Sequence, residues 1–123
     1  MATLTDYAIE YSIKNISGLN PYTPFEYIAL GSGTDEENSN SNYLTIEHTS
    51  YGLERAVATI EYINPFKIRW SHMFLATDSA TISEFGIFND IYDGGVMFMR
   101  HVFTPITVYS GDEIEVIFTH SMI

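Results

Sequence analysis

The chain has no cysteine. Disulfide staples and thiolate metal centres are excluded, so the fold must be held by packing and backbone pairing alone. Basic residues are scarce: five Lys and Arg stand against sixteen Asp and Glu, a formal net charge of −11 with histidine neutral. Phosphate binding draws on clustered Lys and Arg that release counterions, and no such cluster occurs, so nucleic acid is not an expected partner. The same charge repels anionic membranes. No stretch of about eighteen consecutive apolar residues appears, so no segment reads as a membrane-crossing helix. The opening MATLTDYAIEYSIKNISGLN lacks the basic start and unbroken apolar run of a signal peptide. A soluble protein with no membrane partner is expected.

What the sequence does hold is strand-forming material. Of 123 residues, 46% are hydrophobic, enough for one core, and the whole span 1–123 reads as a single domain. Aromatics reach 15%, with nine Tyr and eight Phe, which favours strands over helices. From Phe66 to Phe74 the side chains alternate: Phe66, Ile68, Trp70, His72 and Phe74 share one face, and Lys67, Arg69, Ser71 and Met73 the other. Near the end, Ile114, Val116 and Phe118 alternate with Glu113, Glu115 and Thr119, after turn chemistry at Gly111-Asp112. Further strands are expected over Phe25–Leu30, Thr81–Phe88 and Val96–Phe103, with a weaker one over Tyr7–Ile13. Leu53–Ile63 fits a strand or a helix and is read as a strand. Short strands divided by Gly, Pro, Asn and Asp imply an all-β antiparallel sandwich, either jelly-roll or immunoglobulin-like.

Gly31–Asn42, GSGTDEENSNSN, is polar and reads as a solvated loop. The segment from Ser83 to Phe103 has two apolar runs about a turn-rich centre, Asn89 to Gly95, which is a hairpin signature. If Phe88 faces Val96, then Gly86 opposes Phe98 and Glu84 opposes Arg100, all on one apolar face. A buried charge needs a partner, so Glu84 and Arg100 are expected to form a structural ion pair.

Other chemistry is thinly supported. His48, His72, His101 and His120 lack metal-ligand spacing; His48 beside Glu47 is weighed against a surface role, and His72 reads as a core histidine. Asp35-Glu36-Glu37-Asn38 offers oxygens without calcium-loop spacing. Ser32, in Gly31-Ser32-Gly33, fits neither a nucleophile elbow nor a phosphate loop. Asn15-Ile16-Ser17 is an acceptor sequence for glycosylation with no secretion signal to give it meaning. No cofactor, no metal and no enzymatic activity are expected. The tyrosines suit protein contacts or stacking on sugars. Residues 1–24 read as a docking arm, in which Tyr7, Ile9, Tyr11 and Ile13 would add a strand to a neighbouring chain's sheet edge.

The order Ala29-Leu30-Gly31-Ser32-Gly33-Thr34, Leu53-Glu54-Arg55, Phe74-Leu75-Ala76, Ile82-Ser83-Glu84-Phe85-Gly86-Ile87-Phe88-Asn89, Gly95 with Met97 and Arg100, Phe103-Thr104-Pro105-Ile106 and Gly111-Asp112 resembles small structural proteins of tailed bacteriophages. The likeness spans about residues 27 to 118, and the acidic insert after Thr34 and the N-terminal segment depart from it. It implies a virion component on the particle exterior: a capsid decoration or head-fibre protein, or a tail-fibre or baseplate module. Its partners would be other virion proteins and further copies of itself. Host glycan, met as part of a tail fibre, is the alternative.

Overall fold

Alternating side chains build two antiparallel sheets in the computed structural model, which describes residues 3–18, 23–91 and 95–121. In chain order the elements are β1 (Thr3–Leu4), α1 (Asp6–Ser17), β2 (Tyr27–Gly31), β3 (Ala56–Val57), β4 (Thr59–Ile63), β5 (Lys67–Leu75), β6 (Ala80–Phe88), β7 (Met97–Val108) and β8 (Glu113–Ser121). One sheet has the order β1-β7-β6-β2-β3 and the other β4-β5-β8. Packed together they form an all-β sandwich, with one helix among the described residues. The expected docking arm and the hairpin turn each fall partly outside the described residues.

The interface between the sheets follows the predicted alternation at Trp70 and Phe74. Phe66, expected on the same face, is instead an exposed turn residue before the strand at φ 58°, and Ile68 is exposed as well. On β5, Trp70 and Phe74 are buried while Met73 and Leu75 are exposed. Trp70 opposes Phe118 of β8 and stacks on it at 5.9 Å between ring centroids; it also meets Phe98 of the other sheet at 5.3 Å. The indole Nε1 donates to the Phe25 carbonyl at 2.7 Å, so its single donor is satisfied within the core.

The five-stranded sheet is covered on both faces, which explains why β2 and β6 read as nearly unbroken apolar runs. Ile28, Leu30, Ile82, Ile87 and Met99 lie in the core between the sheets. Ala29 and Phe88 alternate with them and gather with Leu44 and with Met97, which precedes the irregularity on β7, in a second cluster. Leu44 belongs to the long connection between β2 and β3, so that connection is a third layer over the outer face.

Three expectations are corrected. Tyr7–Ile13 is helical, so Tyr7, Ile9, Tyr11 and Ile13 form no docking strand. Thr5 caps the helix, its Oγ1 accepting from the Ala8 N–H at 3.0 Å, and Asp6 and Lys14 lie at the ends where the helix dipole favours their charges. Gly18, at φ 69°, closes it with an amide bonded back to Lys14 and Asn15. The period of two fails because Ala8 between them is the buried residue, at 1% exposure. Among the described residues of this arm, only Thr3–Leu4 pairs as a strand, within the chain's own sheet, against β7.

The β6–β7 register also differs: Gly86 opposes Arg100, Glu84 opposes Val102 and Phe88 opposes Met97. The hairpin closes at Asn89, whose N–H donates to the Val96 carbonyl, rather than at Phe88. An irregularity between Ile87 and Phe88 then adds one more residue on β7. Two single-residue offsets shift the pairing by two, so Arg100 stays on the face of Glu84 and meets it diagonally, whereas Phe98, expected on that same face, turns into the core between the sheets against Trp70. Leu53–Ile63, finally, is two short strands in different sheets; the break falls at Ala58, whose N–H donates to the Glu26 carbonyl at 2.7 Å.

Thr5 is fully buried, and its hydroxyl also donates to the Met97 carbonyl, tying the helix start to β7. Thr5→Ala removes a cap and orphans that carbonyl. A loss of about 1–2 kcal/mol in urea-unfolding free energy is expected.

Candidate functional site

The largest concentration of polar chemistry lies between the outer face of the five-stranded sheet and the β2–β3 connection. Glu84 and Arg100 are 0% and 1% exposed, and Arg100 Nε donates to Glu84 Oε1 at 2.8 Å. Glu84 Oε1 also accepts from the Thr45 N–H at 3.1 Å, and Oε2 from the N–H groups of Gly33 at 2.7 Å and Ile46 at 2.9 Å. Arg100 Nη1 donates to the carbonyls of Asp35 at 3.3 Å and Glu36 at 3.1 Å. Its Nη2 reaches Asp35 Oδ1 at 3.1 Å and Thr45 Oγ1 at 3.2 Å. Every N–H of the guanidinium therefore has an acceptor.

This geometry explains the Gly31-Ser32-Gly33 sequence. A Cβ built on either glycine would lie 2.5 Å from Glu84 Oε2, so a side chain at these positions would displace the carboxylate. Ser32 holds a backbone bond to the Ile46 carbonyl at 2.9 Å, and the Gly33 carbonyl accepts from Ser83 Oγ at 2.8 Å. The expected solvated loop, Gly31–Asn42, is thus corrected over its first part, where Gly33, Asp35 and Glu36 are fastened by the buried charges. Both charges are saturated by the chain's own groups, and their work is to hold this layer on the sheet.

A second ion pair had no counterpart in the sequence reading. Arg55 grips Glu47 through Nε to Oε2 at 3.0 Å and Nη2 to Oε1 at 2.7 Å. Its guanidinium lies 3.7 Å from the centroid of the Phe88 ring, and Nη1 donates to the Asp90 carbonyl at 2.8 Å. The available signal was an arginine in a short apolar segment, LERAVA, where a buried cation demands a carboxylate. The adjacent Glu54 obscured it.

Glu37 sits where the layer meets the β7 edge. Its Oε1 accepts from Thr3 Oγ1 at 2.7 Å and its Oε2 from the Val102 N–H at 2.9 Å, with His101 Nδ1 at 3.3 Å. Burial pushes its pKa up, but those two bonds and His101 outweigh it and hold the group below its usual value. Asp35 is also lowered, chiefly by the Thr45 hydroxyl and, against some burial, by Arg100. His120 is lowered by burial.

Among the described residues, the remaining histidine and acidic candidates of the sequence are not brought together. Glu47 is engaged by Arg55, while His48 Nε2 bonds to the Thr81 carbonyl at 2.7 Å. His72 packs edge-on against Phe74 at 4.6 Å. Among the described residues no three His, Asp or Glu side chains are grouped to hold a metal ion. No helix among them is long and apolar enough to cross a membrane.

Two surfaces are distinctive. Ile9, Ile13 and Ile16 of α1 are 50%, 62% and 86% exposed. Their spacing places them in one stripe on the helix. The four residues expected to dock together are split: Ile9 and Ile13 lie on that stripe, whereas Tyr11 turns into a groove of about 310 Å³ with Phe25, Trp70 and His120. Tyr7 is partly exposed, at 39%. No protein-family model, curated protein or solved structure matches the chain.

Arg100→Met leaves Glu84 buried and unpaired, and a stability loss of about 3–5 kcal/mol is expected in equilibrium unfolding. Pairing it with Glu84→Gln removes the stranded charge, so the double variant recovers part of that loss. The three lowered pKa values share one sign. Each contributes stability in full above the unfolded-state pKa and loses it as pH falls through the folded one. Melting temperature should decline below pH 6.5, the ordinary value for His120, and more steeply below 4.5, that for Glu37. His120→Phe should remove the first decline and leave the second.

Proposed function

We propose that this chain is a virion structural protein, not an enzyme, which docks on the particle exterior through protein contacts as a capsid decoration, head-fibre or tail and baseplate component. The observation that carries the docking surface is the α1 stripe. An amphipathic helix ordinarily turns its apolar stripe toward the core. In α1 the three isoleucines point outward, while the inward positions are the small Ala8 and the partly polar Tyr11. An apolar stripe left on the outside marks an interaction surface.

Charge and motif order support the exterior placement. Of the five basic residues, Arg55 and Arg100 are buried. The exposed surface is therefore even more one-sidedly acidic than the composition, which disfavours packaged nucleic acid as a neighbour. The ordered motifs from Ala29 to Asp112 resemble phage structural modules, with the glycines, Glu84 and Arg100 forming the clamp. The groove lined by Tyr11, Phe25, Trp70 and His120 favours a second reading, a glycan-recognition module of a tail fibre, because aromatic walls suit the apolar faces of sugars.

The deciding experiment is titration of the purified protein against particles lacking it. Stoichiometric binding is expected, weakened at least tenfold by Ile13→Glu with Ile16→Glu, at unchanged melting temperature. Absence from purified virions, or equal binding by the double variant, overturns the reading. Glycan-array binding abolished by Tyr11→Ala transfers the function to the groove.

A further inference from the structure

A sheet edge offers a row of unpaired backbone groups, and folded proteins shorten, charge or cap such edges to prevent uncontrolled pairing. In this sandwich β1 and β3 have two residues each. Beyond the part of β7 paired with β1, the Val102 N–H is capped by the Glu37 carboxylate and Pro105 has no N–H to offer. Strand β4 has five residues centred on Glu61, so symmetric self-pairing would place two carboxylates opposite each other.

Strand β8 differs from all of these. It is the terminal strand of its sheet, nine residues long and without proline. We infer that β8 is a self-association edge, pairing antiparallel with β8 of a second copy about a two-fold axis at Ile117.

The side chains select that partner and register. Ile117 is the midpoint of Glu113–Ser121, so an axis there pairs all nine residues. On the outer face Ile117, 53% exposed, meets its own copy, while Glu115 faces Thr119 and Glu113 faces Ser121 of the second chain. No carboxylate opposes another, in contrast to β4. On the inner face Val116 faces Phe118, extending the core row across the axis. Beside this edge runs a mostly apolar groove of about 260 Å³ lined by Phe85, Phe103, Ile106, Ile114 and Val116, together with Glu115. The incoming Phe118 lies next to it. The two three-stranded sheets would become one of six strands, a closed, isologous arrangement.

The absence of cysteine makes the test specific. Opposed residues on paired strands have Cα atoms about 4.5–5.5 Å apart, within disulfide reach. Ile117→Cys should crosslink to a dimer under mild copper-phenanthroline oxidation. Thr119→Cys should not, because its copy lies four positions along the strand, roughly 13 Å away at about 3.4 Å per residue. Sedimentation equilibrium of the full chain should show a dimer, weakened at least tenfold by Ile117→Asp with unchanged circular dichroism. A monomer at all concentrations, open-ended oligomers, a dimer indifferent to Ile117→Asp, or equal crosslinking at both cysteines would each refute the inference; if Ile117→Asp unfolds, the cysteine pair decides. Ile13→Glu should leave the dimer intact, so this edge and the docking helix are tested separately.

Discussion

The buried Glu84–Arg100 contact is the constraint around which the outer half of the molecule is arranged. Neither charge tolerates burial without compensation, because the effective desolvation penalty is several kcal/mol per ion. Glu84 therefore draws in the N–H groups of Gly33, Thr45 and Ile46, and Arg100 the carbonyls of Asp35 and Glu36. The outcome is a polar segment held in place without an apolar core of its own. With Leu44 pinned over Phe88 and Met97, the sheet acquires a covered outer face. An ion pair of this kind gives geometry more readily than stability: it accepts one arrangement of backbone donors, where apolar packing would accept many.

Much of the sandwich was legible in the sequence because burial on one face produces alternation, and β5 and β8 are half-exposed strands. Trp70 with Phe118 follows directly. The ion pair was legible for a different reason, since one carboxylate and one guanidinium fell on an otherwise apolar hairpin face. Its predicted register was wrong by two residues, and the prediction survived because an even shift conserves the face. Had the hairpin closed at Asn89 without the irregularity near Phe88, the offset would have been one and Arg100 would have faced the opposite side.

What was not legible has equally physical causes. Tyr7, Ile9, Tyr11 and Ile13 alternate as a strand does, yet the controlling signals were Thr5 and Gly18, residues whose caps outweigh the aromatic and β-branched preference between them. The same isoleucines at 9, 13 and 16 satisfy helical spacing, so the apolar pattern alone was degenerate. The Arg55–Glu47 pair was hidden because its partners come from a connection with no period at all. Loop residues acquire partners only through tertiary structure, and neither propensity nor spacing reports them.

Placing Arg55 and Arg100 inside leaves an exterior of strongly negative sign that also exposes many large apolar side chains. Any two copies repel at long range, and the Debye length of about 8 Å at physiological salt sets how close they must come before that repulsion is local. Association is then favoured only where no carboxylate of one surface is brought directly opposite a carboxylate of the other. The α1 stripe, bordered by Glu10 already bonded to Lys14, and the centre of β8, where Ile117 stands between Glu115 and Thr119, both meet that condition. Strand β4, centred on Glu61, does not. The acidic excess thus disfavours self-pairing at the β4 edge and leaves the proposed docking helix and the proposed β8 edge open to contact.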